Sequence, residues 1–261
     1  GGQLIGVGQF AASSGSYGVS LEDLDVVGGY RGLWARGVAY LRIRGCRFVN
    51  AYGSEEINLC DGPDSTHNVD GAEFLNCVIS PENNKTTIGM LLNGKAHSVK
   101  MSQCAVLFGT IGVRLKNTTG GSNPKFFYFS DGGFENGTSH GIYAEVGDDI
   151  KIMNSYVSLD GGLDGIYTGT AYAGSIKIIG TTIRGCGRDG VRINGGRPTI
   201  ANCDIVNNGS ATTGDGISIR SNATGYVVSG NRIGYAGDGL NAQRYGIYNA
   251  LSAGGGIVAG D

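Results

Sequence analysis

The sequence predicts an all-β chain wound as a parallel β-helix, a solenoid of about nine to ten coils forming one domain over 1–261. Three observations predict it. Gly accounts for 49 of 261 residues and charged side chains for only 16%. That argues against a long helical bundle, because each interior Gly costs a helix about 1 kcal/mol relative to Ala. Apolar and other residues alternate over short segments, as in strands with one buried face. Finally, one motif recurs: a Gly, Ile or Val, any residue and an apolar residue, then, after a variable turn, apolar-x-apolar-x-x-small-x-apolar.

The copies follow in order. The second half of the motif appears first, at Val19, Leu21, Leu24 and Val26, then at Leu41, Ile43, Cys46 and Phe48. A looser copy runs through Phe74, Cys77 and Ile79, and a regular one through Val99, Met101, Cys104 and Val106. Complete copies begin at Gly112, Gly141, Gly165, Gly190 and Gly216, and Gly246 opens another. The small residues form the column Leu24, Cys46, Cys77, Cys104, Gly132, Ser155, Thr181, Cys203 and Asn231, at intervals of about 22 to 31 residues. Segments this short, separated by Gly, Asn and Asp, leave no room for crossover helices. Residues 1–16 read as an irregular first coil. The sequence stops within a coil at Gly260-Asp261, so the expectation is a stack continued by further chain or covered by partner chains.

Composition narrows function. Hydrophobic residues make up 40% and the formal net charge is −2, enough to bury a core and against disorder. Four Pro and no Gly-X-Y period exclude collagen. No basic footprint points to nucleic acid, no polybasic patch to a membrane surface, and no apolar run approaches the about 18 residues of a membrane span. The first ten residues show no charged region followed by an apolar one.

The cysteines read as core. Cys46, Cys77, Cys104 and Cys203 share a column with Ser155, Thr181 and Gly132, so the position asks for a small buried side chain. Parallel Cβ vectors on stacked rungs disfavour disulfides, and no C-x-x-C pair suits zinc. Cys60 and Cys186 fall in turns and are expected to be the more reactive thiols.

The x of Gly-[Ile/Val]-x is expected to face outward. Up the stack it reads Leu91, Arg114, Tyr143, Tyr167, Arg192, Ser218 and Tyr248, with Trp34 joining if Gly32-Leu33 opens a coil. At about 4.8 Å per rung, such a stripe offers aromatic faces to sugar C–H groups and guanidinium donors to hydroxyls. An ordinary exposed sheet face or a subunit interface would also use these residues. The residue before each motif Gly reads His140, Asp164, Asp189, Asp215 and Tyr245. Three carboxylates on consecutive rungs stand roughly 5 Å apart, with the outer two about 10 Å apart. These spacings bracket the separations of retaining and inverting glycosidases. Crowding raises at least one pKa and leaves a proton donor beside an ionised partner. The same trio could hold Ca²⁺, and Asp before Gly is also a common turn residue. A second acidic region, Glu55-Glu56 with the loop Cys60 to Asp70, suggests an acid/base pair such as Glu56 and Asp61, or an ordinary solvated loop.

The repeated Gly-Ile/Val-x-apolar and apolar-x-apolar-x-x-[Cys/Ser/Thr]-x-apolar steps resemble the right-handed parallel β-helices of the pectate-lyase-like superfamily, over nearly the whole chain. The resemblance implies a right-handed coil, action on acidic or neutral polysaccharides, and, as in phage tailspikes, binding and cleavage of bacterial surface glycans by homotrimers. Departures are clear: the Asp-Gly-Ile step of pectin-cleaving glycosidases occurs at Asp164, but their Asp-Asp, Gly-His-Gly and Arg-Ile-Lys motifs do not follow, and the Asp-Pro-His of alginate epimerases is missing.

The function expected is therefore an extracellular or virion-borne polysaccharide-binding and polysaccharide-cleaving module. Tyr143, Tyr167, Arg192, Arg114, Tyr248 and His140 would bind, Asp164, Asp189 and Asp215 would catalyse, and no cofactor is called for beyond the Ca²⁺ alternative. A non-enzymatic fibre or adhesin segment is the second expectation. The third is a lyase or epimerase on uronates, with Arg114, Arg192 and Arg220 neutralising the acid and Lys151 or Lys177 as base.

Overall fold

A computed structural model describes residues 5–8, 16–59, 68–81, 87–118, 122–159, 161–210, 213–234, 243–250 and 255–260. Every strand pairing is parallel, and each rung contributes a short strand to each of three sheets. The first sheet carries the Gly-Ile/Val-x-apolar step, for example His140–Ala144, Ile166–Thr168 and Ile217–Ala223. The second carries apolar-x-apolar, as in Lys125–Ser130, Asp148–Met153 and Ser175–Ile179. The third takes the segment after the small residue, and its nine strands run from Asp25–Val27 to Arg232–Gly234. Strand Val191–Ala201 passes from the first sheet into the second without a break. Among the described residues there is no helix. The chain is the predicted parallel β-solenoid.

One conformational rule closes each rung between the second and third sheets. The residue before the small column has positive φ: Asp23, Gly45, Asn76, Gln103, Asp131, Asn154, Gly180, Asn202 and Gly230. Left-handed geometry is open mainly to Gly and, among residues with a Cβ, favours Asn and Asp, which is why the x-x of the motif is polar there. The small side chain that follows turns into the corner and donates to the carbonyl two residues back. Ser155 Oγ reaches Met153 O at 2.6 Å and Thr181 Oγ1 reaches Ile179 O at 3.1 Å. Cys203 Sγ reaches Ala201 O at 3.2 Å, and Cys46, Cys77 and Cys104 repeat the contact. Six of the nine column positions thus hold a compact weak or strong donor, and the column's cysteines are buried free thiols, as expected.

Cys186 corrects the reading of reactive thiols. It lies fully buried, packed towards Gly165, and burial pushes its thiol pKa up, so it is protonated and shielded. Cys60 lies outside the described residues.

The motif glycine is required by close approach. A Cβ on Gly165 would stand 2.6 Å from Gly190 O and 2.8 Å from Ile183 Cγ2. Gly112, Gly141, Gly190 and Gly216 meet the next rung's carbonyl and a third-sheet side chain in the same way. The corner between the third and first sheets thus closes only without side chains. Gly165→Ala is expected to lower stability by about 1–3 kcal/mol through overpacking, measured as a shift of the urea midpoint at unchanged slope. An unshifted midpoint would contradict this account of the motif.

Candidate functional site

The first-sheet column is continuous. Register pairs link Trp34 to Asn58, Asn58 to Leu91, Leu91 to Arg114, Arg114 to Tyr143 and Tyr143 to Tyr167. They continue from Tyr167 to Arg192, Ser218 and Tyr248. The predicted stripe is therefore one vertical file, and Asn58 is a member that the sequence reading missed. The expectation of uniform exposure needs correcting. Leu91, Asn58 and Ser218 are buried, while Arg114, Tyr143, Tyr167, Arg192 and Tyr248 are half-buried.

At the centre, three rings meet. His140 lies with its centroid 5.1 Å from both Tyr143 and Tyr167, which cross edge to face at 4.8 Å. Arg114 sits 5.5 Å over the Tyr143 ring, and its Nε donates to Glu145 Oε1 at 2.6 Å. Higher up, Arg220 covers the Tyr248 ring at 4.6 Å and Arg244 the Tyr245 ring at 5.0 Å. The result is an aromatic and guanidinium face spanning six consecutive rungs, from Arg114 to Tyr248, about 24 Å at the rung spacing.

Beside this file stands the acid column, also on consecutive rungs. Asp189 N donates to Asp164 Oδ1 at 3.1 Å, and Asp215 N donates to Asp189 Oδ1 at 2.8 Å. Asp164 and Asp189 thus each cap the backbone of the next rung. Arg188 forks onto both oxygens of Asp164, with Nε 2.7 Å from Oδ1. Arg244 forks onto Asp215 at 3.0 and 2.8 Å. Asp164 and Asp215 are completely buried. Among the described residues no cluster of three His, Cys, Asp or Glu side chains is placed to hold a metal ion.

Asp189 differs from its neighbours. Its Oδ2 is served by Arg192 Nη1 at 3.3 Å, with Arg220 Nη2 at 4.0 Å, so two cations share one carboxylate oxygen. Burial, together with the nearby charges of Asp164 and Asp215, raises its pKa against the pull of the Asp215 N–H and Arg192. Asp164 moves the other way. Burial works to raise it, but the Arg188 fork, the His140 imidazole and the Asp189 N–H outweigh burial and hold it below the usual carboxylate value. The expected divergence within the trio is present in Asp164 and Asp189. As attacking or proton-donating groups, however, Asp164 and Asp215 are poorly placed, since both oxygens of each already accept from arginine.

Three buried polar atoms next to this face lack a hydrogen-bond partner: Arg192 Nε, Ser218 Oγ and Arg220 Nε. His140 Nδ1 is engaged by Ser139 Oγ at 2.7 Å, and its Nε2 lies 3.5 Å from Asp164 Oδ2. Buried unsatisfied donors are costly, and these lie on two neighbouring rungs of the face.

Two other expectations are corrected. Glu55 and Glu56 are buried strand residues: Glu55 pairs with Arg31 at 3.1 Å, and Glu56 points into the corner of the third and first sheets. Asp61 lies outside the described residues. The uronate-lyase set does not assemble either, because Arg114, Arg192 and Arg220 stand on the first sheet while Lys151 and Lys177 pair on the second. Burial works to lower the pKa of Lys151, but hydrogen bonds to Tyr128 and Asp149 and the nearby Asp149 charge together outweigh it and raise it, so it stays protonated and is no base near neutrality.

No protein-family model matches the sequence, and no curated protein pairs with it. Solved structures share the fold, two of them as follows. The A-module of the mannuronan C-5 epimerase AlgE4 from Azotobacter vinelandii superposes with a TM-score of 0.72 at 12% identity, covering 98% of this chain and 68% of that one. ORF18 of Geobacillus virus E2 gives 0.67 at 14% identity, covering 95% of this chain and 52% of the viral chain. At such identities the likeness is one of fold.

Proposed function

We propose that this chain is an extracellular or virion-borne polysaccharide-binding module whose first-sheet face holds a bacterial surface glycan, with Asp189 supplying the proton for cleavage. The observation that carries the reading is the unbroken file of Tyr143, Tyr167, Arg192 and Tyr248 with His140 beside it, bordered by donors without acceptors. Pyranose rings would stack on Tyr143 and Tyr167, and hydroxyl oxygens would take up the orphaned Arg192, Arg220 and Ser218 donors. Displacing Arg192 and Arg220 towards the sugar would free Asp189 Oδ2, and a raised pKa suits a group that must be protonated to serve a leaving oxygen; as the glycosidic C–O bond breaks, a solvent water would add to the anomeric carbon, its proton passing to solvent. The fold shared with an epimerase module and a phage protein is compatible with this assignment.

A second reading, attachment without cleavage, is favoured by the complete burial and arginine pairing of Asp164 and Asp215. Incubation with capsular and pectin-type polysaccharides separates the two. New reducing ends that disappear in Asp189→Asn support cleavage; binding without new ends leaves attachment; unsaturated products absorbing in the ultraviolet would overturn the hydrolytic step. Tyr143→Ala and Tyr167→Ala are each expected to weaken glycan binding about tenfold, the worth of one aromatic platform. Unchanged affinity in both, by calorimetry, would remove the binding face from consideration.

A further inference from the structure

On the second sheet, around the corner from the aromatic file, a groove of about 380 Å³ is lined by Ser122, Asn123, Lys125, Asp148, Gly174 and Arg197, among others. We infer that this groove is a separate subsite for an anionic sugar residue. Ligand sites typically start at about 300 Å³, so it can take one saccharide unit with its substituents. Two cations flank it. Lys125 and Arg197 form no ion pair among the described residues. Asp148 forms the floor, with Oδ1 accepting from Asp149 N at 2.9 Å and Ser175 N at 3.2 Å.

The surroundings extend the charge. Lys100, Tyr128, Lys151 and Lys177 occupy successive rungs of the outward file of the same sheet. Of these, only Lys151 has an ion pair among the described residues, with Asp149 at 3.3 Å. A chain with net charge −2 thus concentrates lysine on one face, invisible to whole-chain composition because the residues lie a full coil apart. Phe126, next to Lys125, has φ 57° and is 44% exposed. It offers an apolar face beside the groove. Acceptors on the floor, donors on the rim and an adjacent ring suit a hydroxylated ring bearing one negative group.

This inference does not depend on the first-sheet reading. The test follows amide resonances of Gly147 and Gly174 in the whole chain during titration with tetragalacturonate, a chondroitin sulfate tetrasaccharide, a neutral galactan tetrasaccharide and a single-stranded oligonucleotide. Saturating shifts are expected with an acidic saccharide and not with the neutral one, the two acidic probes separating carboxylate from sulfate ester. Lys125→Ala and Arg197→Ala should each weaken that binding about tenfold, and the Tyr143→Ala/Tyr167→Ala variant should leave it unchanged. Absence of shifts, equal response to the neutral sugar, or tighter binding of the oligonucleotide would overturn the assignment. Shifts that vanish with the first-sheet variant would place the ligand on the other face and overturn it too.

Discussion

Asp164→Ala is expected to destabilise the chain by about 3 kcal/mol, while Asp204→Ala is expected to cost less than about 1 kcal/mol. Both residues accept a forked arginine from the next rung: Arg188 on Asp164 and Arg232 on Asp204. The chemistry is the same and the burial is not. Asp164 has no exposed surface, whereas the Asp204 and Arg232 side chains are 33% and 69% exposed. Removing Asp164 leaves the buried Asp189 N–H without its acceptor and strips Arg188 of the carboxylate it forks onto. Removing Asp204 hands a solvated guanidinium back to water. In a solenoid each rung contacts only its neighbours, so the loss should also be local. Hydrogen exchange should accelerate from about His140 to Asp215 and stay slow around Phe48 and Phe74. Equal urea midpoints for the two variants would show that the acid column does not hold the rungs together.

The contrast marks what sequence can reveal about such a site. Columns were legible because strands alternate with period two and rungs repeat. Once Gly141, Gly165, Gly190 and Gly216 are aligned, His140, Asp164, Asp189, Asp215, Tyr143, Tyr167 and Arg192 take their files without further information. The arginine partners were not legible. Arg188 and Arg244 sit one residue before the column, in turn positions, and which way a long side chain leans, back one rung or out to solvent, is a packing outcome. The faces were ordered correctly, but their exposure was not, since Ser218 is short and buried beside Tyr248 of the next rung. Cys186 was misplaced for a related reason. It follows Gly185 in a turn, yet its corner is completely enclosed. The rung of Glu55–Leu59 escaped notice because its glycine position is held by Glu56, which breaks the motif that located every other copy from Gly112 onward.

That break has a measurable consequence. Glu56 lies in register between Gly32 and Gly89, in the one file where neighbouring rungs lack side chains. It is fully buried, with Oε2 accepting from Ala51 N at 2.8 Å and Oε1 unpartnered. Burial, only partly offset by the Ala51 N–H, pushes its pKa up to about 7 from 4.5. A raised carboxylate pKa means that folding favours the protonated form. The stabilising contribution is complete below pH 4.5, falls as pH rises, and is gone above pH 7, an excursion of about 3 kcal/mol. Asp164, whose pKa is lowered, acts with the opposite sign and only as pH falls towards and below its ordinary value near 3.8, so the two windows separate. Asp189 adds a slope of the same sign as Glu56, which the comparison with a variant cancels. Glu56→Gln, uncharged at every pH and able to keep the Ala51 contact, is expected to match the parent at pH 4.5 and to exceed it by about 2–3 kcal/mol at pH 8. Urea midpoints at the two pH values decide it. Parallel pH profiles for parent and variant would mean that Glu56 is ionised within the fold, its charge met by a partner in the corner between the third and first sheets.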